Sequence, residues 1–484
     1  MNRLLGTVTM YKLVLLSLAL ITVTALALSL AGLLGYPPLT LVLSLVVAVA
    51  STVVSSILVA LAFRVKPHTE SAFITAFLLF FVLPPTTPLW VMALAGVIAS
   101  VSKFVLAWRG RHIFNPAAIA ATIVTLTGLT FSGWWVGTLY LTPVVAITAF
   151  LILFRTKRLT MGIVFVVVAS LGWVIRYGDL AGGLQYAFLQ SGMLLLAGFM
   201  LSEPLTLPPR RWQQLALAAL VGVIFALPTV GVLSFSPQLA LVIGNLLAFF
   251  FGQRRGIALV LTAKARLTPT TWEFRFSPTR PVRFVPGQYM ELTLPHSRPD
   301  FRGVRRIFSI ASAPGGDVVF AMSIAERSST FKTAILALEP GATLRATSVG
   351  GDFTLPAPGT PVLLVAGGIG ITPFASQLTD ATAAARDTVL VYAVSNAAEL
   401  AYADVLVESG ARVIVVAPSP DGLPAGVEYA GPGRISKELL AASVPDIATR
   451  RAYVSGPPGL VSDVRGMVRS LGAKRVHSDY FSGY

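Results

Sequence analysis

Up to about residue 252 the chain is a succession of apolar stretches of roughly 16–25 residues, each near the length that crosses the hydrocarbon of a bilayer. A soluble fold has no use for so many. Of the whole chain 55% is hydrophobic and 12% charged, whereas soluble domains carry about 25% charge. Beyond residue 252 charge, proline and glycine rise, and the apolar runs shrink to strand length. The sequence therefore predicts a membrane domain over 1–253 and soluble domains over 254–358 and 359–484, a soluble part large enough for two small cores.

Ten spans are expected, near 10–34, 39–63, 71–84, 88–107, 115–130, 134–154, 160–176, 186–203, 213–230 and 237–252. Loops after even-numbered spans hold twelve Lys and Arg residues, and those after odd-numbered spans hold Arg176 alone. That asymmetry predicts a multi-pass protein of the cytoplasmic (inner) membrane with both termini and the soluble part in the cytoplasm. The first segment, Leu13–Leu34, lacks a small-residue cleavage site and is followed at once by another span, so it reads as a retained helix. The net charge of +16 has the same topological origin, and nucleic acid is not expected as a partner; membrane lipid is. Cysteine is absent, which excludes disulfides, thiolate-bound metal and iron–sulfur centres. The four histidines, His68, His112, His296 and His477, do not supply axial haem ligands inside the bundle. No metal site is expected.

The membrane half repeats itself. "FLLFFVLPPTTPLW" from Phe77 and "FMLSEPLTLPPRRW" from Phe199 both run from Phe to Trp in fourteen residues, at an offset of 122. Asn115-Pro116 and Ser236-Pro237 follow at an offset of 121, each pair opening the last span of its half. Five spans per repeat is odd, so the halves are expected to be inverted, with a binding site at their interface. Asn or Ser before Pro is also a helix-start signature. Such a start presents free N–H groups to an anion or an electron-rich flavin ring, although either pair read alone is an ordinary helix start.

These stretches, with Lys103, "GRHIFNPAAIA" and Glu203-Pro204, resemble the D subunit of the Rnf electron-transport complex and the B subunit of the sodium-pumping NADH:quinone reductase. The resemblance covers most of residues 10–252. It implies a flavin-bearing, ten-span electron carrier of two inverted repeats. That family attaches FMN to a threonine in a Ser/Thr-Gly-Ala-Thr stretch, and here the neighbourhood reads "TFSGWWVGTLYL". Any membrane flavin, FMN or riboflavin, is therefore expected to be non-covalent, held at the helix starts of Asn115 and Ser236. Trp134 and Trp135 are expected in an interfacial aromatic belt, and Lys103 to snorkel toward the cytoplasm.

From Leu259 the hydrophobic period becomes two. "TWEFRF" and "GQYMELTL" alternate, which predicts a small antiparallel β-barrel up to about Leu355. After Pro361 buried strands alternate with helices, as in "VLLVAGGIGITPFASQL", "TVLVYAVS" and "AYVSGPPGLVSDVRGMV". That rhythm predicts an α/β parallel sheet with a nucleotide crevice at its strand ends. In "RRIFSIAS", Arg306 and Phe308 share a strand face and Ser309 lies on the other. A guanidinium for pyrophosphate, a ring for stacking and a hydroxyl donor make a flavin-binding kit. "RSSTFKTAIL" opens a helix with hydroxyls and backbone N–H groups suited to phosphate.

The order and spacing of these motifs, from "GQYMEL" through "VGGDF" to "DYFSGY", resemble the ferredoxin–NADP reductase superfamily. The resemblance implies an FAD-binding barrel followed by a nicotinamide-nucleotide domain. By motif, Arg306, Ser329 and Lys332 would hold the flavin phosphates, Phe308 would lie on or beside the ring, and Ser309 near flavin N5. Gly367, Gly368, Gly370 and Thr372 would receive the nucleotide, with Ser455, Gly456 and Pro457 beside the nicotinamide. Asp479, Phe481 and Tyr484 would close over the flavin, Tyr484 joining Ser309 and Ser455 as the catalytic set. Phe308 and Ser455 stand where the family usually has Tyr and Cys.

The expected function is oxidation of cytoplasmic NADH (NADPH being possible) by FAD, with electrons leaving through the membrane domain for an extracytoplasmic acceptor such as a flavoprotein. Two alternatives stay open: an NAD(P)H:quinone reductase with or without ion pumping, and a nucleotide-sensing transporter. Acid denaturation is expected to release all flavin into the supernatant; a flavin-sized mass increment on any peptide of residues 1–252 would contradict the non-covalent reading.

Overall fold

The computed structural model describes residues 10–64, 67–108, 111–227, 236–253, 256–297, 299–300, 303–326, 328–347, 349–380 and 386–480. The chain divides into two compact units, Arg3–Arg255 and Gly256–Tyr484.

In the first unit the described residues form a helical bundle whose members follow the predicted apolar stretches. The helices are Met10–Leu30, Pro38–Ala62, Thr69–Val82, Leu89–Val105, Pro116–Leu126, Thr142–Arg155, Leu159–Tyr177, Leu180–Leu189 with Met193–Leu195, Arg211–Ala226 and Pro237–Ala248. Two short antiparallel strands, β1 (Ala107–Trp108) and β2 (Arg111–His112), lie between Leu89–Val105 and Pro116–Leu126. Proline stands in the first turn of those at Pro38, Pro116 and Pro237, where its missing N–H costs nothing. Packing repeats between the halves: Pro38–Ala62 lies against Leu89–Val105, and Leu159–Tyr177 against Arg211–Ala226.

Three helices, Met10–Leu30, Pro38–Ala62 and Leu159–Tyr177, are long and apolar enough to cross a membrane alone. The others are shorter, and non-helical backbone continues them. Val82 O, at the end of Thr69–Val82, accepts the amides of Gly133 at 3.1 Å and Trp134 at 3.0 Å. Such backbone is tolerable at membrane depth only when buried in protein, and Leu83, Trp134, Trp135 and Val136 are all buried. The eighth segment is bent by 56° between Leu180–Leu189 and Met193–Met200. Gly192 turns the chain there with φ +66°, and a side chain in its place would strike the Trp134 ring. Its far part unwinds into a π turn, Leu196–Met200, and the last helix ends in another, Phe249–Gln253. Such turns often mark functional sites.

The second unit contains two six-stranded sheets. The antiparallel one is built from β3 (Ile257–Arg266), β4 (Thr271–Pro278), β5 (Tyr289–Thr293), β6 (Arg305–Ser309), β7 (Val318–Ser323) and β8 (Thr343–Ala346), in spatial order β6-β5-β8-β3-β4-β7. Its inward face carries Leu259, Phe274, Phe276, Met290 and Phe320, all buried with Phe331 of the Thr330–Leu336 helix. The second sheet contains β9 (Val362–Gly367), β10 (Thr388–Ala393), β11 (Arg412–Val416), β12 (Glu428–Tyr429), β13 (Arg451–Gly456) and β14 (Val476–Tyr480). Its strands are all parallel, in the order β12-β11-β10-β9-β13-β14. The first strand, β9, lies in the middle and the chain winds outward to both sides, so a crevice opens beside it at the carboxyl ends. Gln377 Nε2 donates to Phe353 O at 2.7 Å and Ser376 Oγ to Ser312 O at 2.6 Å, fastening the Thr372–Leu378 helix to the segments around the antiparallel sheet.

Candidate functional site

At the carboxyl end of β9 the chain leaves Gly367, makes a 3₁₀ turn over Gly368–Ile371, and enters the helix at Thr372. β13 runs parallel beside it, with Ser455 opposite Ala366, and ends at Gly456 before Pro457. The two turns touch through backbone. A Cβ on Gly370 would collide with the Ser455 carbonyl and stand 2.6 Å from the Gly456 Cα. Gly368 has φ +51° and open space where a side chain would be. Ser455 is fully buried, and its hydroxyl has no hydrogen-bond partner among the described residues. A buried hydroxyl without a partner is costly, and this one stands at the end of β13 beside the turn that follows β9. Tyr392 O–H donates to Gly368 O at 3.1 Å; burial raises its phenol pKa well above the ordinary value, so it stays a donor and fixes the turn.

On the antiparallel sheet Arg306 is nearly buried, and its guanidinium pairs with Asp300 at 2.8 and 2.9 Å. It also donates to Gly303 O and Arg305 O, and lies 5.5 Å from the Phe331 ring centre. The Asp300 amide donates to the Thr330 hydroxyl at 3.0 Å, and His296 Nε2 shares that hydroxyl at 3.0 Å. Ser329 caps the helix by accepting the Lys332 amide, while the Lys332 ammonium donates to Ser323 O at 2.6 Å. Phe308 packs 5.7 Å from Phe331, and Ser309 is buried opposite Tyr289. The structure thus brings Arg306, Phe308, Ser329 and Lys332 around one helix start. It adds Asp300 and His296, which sequence reasoning missed because they carry no motif, and joins them through Thr330 of "RSSTFKTAIL". Phe481 and Tyr484 lie outside the described residues.

These residues fit the groups the motifs imply. Arg306 and Lys332 are cations for a diphosphate, Phe308 and Phe331 offer ring faces, and the glycine turns with the unpaired Ser455 hydroxyl leave room for a second nucleotide.

In the membrane unit Asn115 is buried and fully engaged. Its side-chain oxygen accepts the Ala118 amide at 3.0 Å, its Nδ2 donates to Glu203 at 2.9 Å, and its own amide donates to Asn245 at 2.8 Å. His112 Nε2 meets the other Glu203 oxygen at 2.8 Å. The helix start at Asn115 therefore already faces a carboxylate from the other half of the unit. Ser236 caps its helix through the Leu239 amide at 3.4 Å. Beside it Gln238 is fully buried, accepting from Ser132 and from the Trp134 indole at 2.8 Å each, with its Nε2 unpartnered among the described residues. The aromatic belt expected of Trp134 and Trp135 is not formed: both are buried, the second donating to Phe80 O at 2.6 Å. Nor does Lys103 simply snorkel, since its ammonium donates to the Ser71 carbonyl at 3.1 Å and hydroxyl at 3.2 Å. An internal polar partner outcompeted water in both cases.

Residues 7–138 match the NQR2, RnfD, RnfE family, and residues 364–466 match the oxidoreductase NAD-binding domain. The chain joins an NQR2/RnfD/RnfE region to a reductase-type nucleotide domain. Over 219 residues it is 30% identical to a flavohemoprotein of Pseudomonas putida, covering 43% of this chain and 54% of that protein. Over 221 residues it is 26% identical to an NADPH oxidoreductase of Mycobacterium tuberculosis, covering 44% and 54%. The chain thus spans about half the length of the curated relatives it matches. A ferredoxin NADP+ reductase from Neisseria gonorrhoeae with bound FAD and NADP aligns with a TM-score of 0.40 and 20% identity, over 46% of this chain and 98% of that one.

Proposed function

We propose that this protein is a membrane-bound NAD(P)H oxidoreductase that oxidises the nucleotide at its soluble unit and passes electrons through its membrane unit to an acceptor on the opposite side. The observation that carries the reading is the buried Ser455 hydroxyl, unpaired beside the Gly367–Gly370 turn, in a chain that continues an NQR2/RnfD/RnfE region. In this reading the antiparallel sheet closes as a barrel around FAD, and residues 10–253 cross the bilayer ten times as two inverted halves.

FAD bound there supplies the redox chemistry, accepting a hydride and releasing electrons singly. The chain's own residues bind and orient. Arg306 and Lys332 neutralise the diphosphate, and Phe308 and Ser309 line the ring. The glycine turns admit the nucleotide phosphates against backbone, and the Ser455 hydroxyl takes a polar atom of the nicotinamide end. In the membrane unit, Asn115 and Ser236 mark the two helix starts at which a non-covalent flavin would be held. Glu203, His112 and Asn245 at the first, and Gln238 at the second, supply donors and acceptors for a ring edge. A soluble or membrane-anchored flavoprotein across the bilayer is the proposed acceptor. Delivery to quinone within the membrane is the nearest rival, and ion coupling goes with that rival.

Arg306→Ala removes the cation that faces the diphosphate. It is expected to lower FAD content of the purified full chain at least about tenfold, consistent with loss of charge-assisted bonds of roughly 1.5–3 kcal/mol. NADH–ferricyanide activity should fall in step while the protein still inserts in membranes. Full FAD occupancy in that variant would overturn the site.

NADH should be preferred over NADPH. At the carboxyl ends of β10 and β11 a cavity of about 420 Å³ is lined by Pro269, Asn396, Ala397, Ala398, Glu399, Pro418, Ser419 and Asp421. Glu399 is held by the hydroxyls of Thr268 and Thr270 at 2.7 Å each, and Asp421 by Ser419 at 2.6 Å. Two carboxylates and no cation meet a 2′-phosphate there. A kcat/KM ratio at least about tenfold in favour of NADH is expected, the equivalent of roughly 1.4 kcal/mol. Equal values for the two nucleotides would contradict this.

A further inference from the structure

We propose that the outer face of the antiparallel sheet, where its first strand begins, docks on anionic lipid headgroups of the membrane that holds residues 10–253. The proposal rests on the membrane-spanning reading of those residues. The sheet register places the face. Arg305 of β6 lies opposite Thr293 of β5, Thr293 opposite Arg345 of β8, and Arg345 opposite Ala258 of β3. Alternation along each strand turns this row away from the core, which takes Leu259, Leu292, Leu344 and Arg306 on the other side. Two arginines therefore stand in one row about 10 Å apart, two strand spacings.

Their surroundings add charge of the same sign. Arg280 is exposed and donates to Gly256 O at 3.1 Å, at the point where β3 starts, and Arg283 is exposed nearby in sequence. Arg345 is exposed and enters no ion pair among the described residues, while Arg305 is half-buried, its Nη1 enclosed and without a hydrogen-bond partner among the described residues. The neighbouring row contains one carboxylate, Glu291, opposite Ile307, whose side chain is 57% exposed. At the far end of β3 and on the adjoining β4 two ion pairs occur, Lys264 with Glu339 at 3.0 Å and Arg275 with Glu273 at 3.3 Å, beside Arg266, which donates to Pro269 O. Arg280, Arg305 and Arg345 stand at the end where β3 begins.

That end is the tethered one. The last membrane helix ends in the turn Phe249–Gln253 and β3 begins at Ile257, so this end of the sheet is the one the chain joins to the membrane unit. The loops that the spanning reading assigns to the cytoplasm are themselves rich in Lys and Arg, which makes them poor partners for a basic face. Anionic headgroups are the complementary surface within reach, and an arginine cluster near a bilayer binds them through charge and phosphate hydrogen bonds. Ile307 beside the arginines is the apolar contact such a face presents to the headgroup layer.

The test uses the full chain in nanodiscs of pure phosphatidylcholine or with about a third phosphatidylglycerol, read by hydrogen exchange of peptides spanning 256–260, 289–293, 304–309 and 343–347. Flotation with liposomes of both compositions reports membrane insertion separately, so failure of the spanning reading is distinguishable from failure of docking. Docking predicts slower exchange of those peptides, by about threefold or more, only in the anionic discs, reversed by high salt. The same slowing should be absent from the R305Q/R345Q double variant, whose FAD content and NADH–ferricyanide rate should match the parent. Unchanged exchange between the two lipids overturns the proposal. So does equal protection by millimolar inorganic phosphate, or by an oligonucleotide, in phosphatidylcholine discs, since that would mark a free-anion or nucleic-acid site.

Discussion

Asn115 holds the membrane unit together across its two halves. Its amide and side chain reach Asn245 and Glu203 from the second half, while its oxygen closes the first turn of its own helix. Asn115 and Asn245 are buried, so their polar groups would be costly if left unpaired. The network therefore fixes where the last helices of the two halves meet. Glu203 follows the π turn Leu196–Met200 of the eighth segment and Asn245 precedes the π turn Phe249–Gln253 of the tenth, so the network lies next to both places where a helix unwinds. The second polar centre, around Gln238 and Trp134, sits at the start of the last helix and depends on the break at Gly192, which leaves room for the Trp134 ring.

The soluble unit depends on close backbone approach rather than on charge. Gly370 lets the turn after β9 lie against the end of β13, and Tyr392 ties that turn from beneath. Any side chain at Gly370 would push the two strand ends apart and close the space beside Ser455. The Gln377 and Ser376 bonds then carry the position of this turn to the antiparallel sheet, where Arg306 and Lys332 lie. The Thr372–Leu378 helix thus links the glycine turn after β9 to the segments beside the antiparallel sheet.

Much of this was legible in the sequence, and the reasons are local. Proline at Pro38, Pro116 and Pro237 marks helix starts because a first-turn residue needs no N–H. Alternation in "TWEFRF" marks β4 because a strand shows its sides in turn. The glycines of "AGGIGITPF" mark a turn after a buried strand. What was not legible depended on distant partners. Nothing in "GWWVG" tells that Trp134 finds Gln238 about a hundred residues away, so an interfacial belt was the natural expectation. Hydropathy likewise locates apolar stretches but not the lengths of their helices, because buried backbone such as that around Gly133 can take over from a helix. Asp300 and Thr330 join the Arg306 site through bonds that no motif records.

The central claim, that electrons from the soluble unit cross the bilayer, is tested most directly in proteoliposomes that trap ferricyanide inside. Addition of NADH to molecules whose soluble unit faces outward should reduce the trapped ferricyanide stoichiometrically, without added quinone. NADH oxidation that leaves the trapped ferricyanide untouched, or that reaches it only when quinone is supplied, would contradict the account.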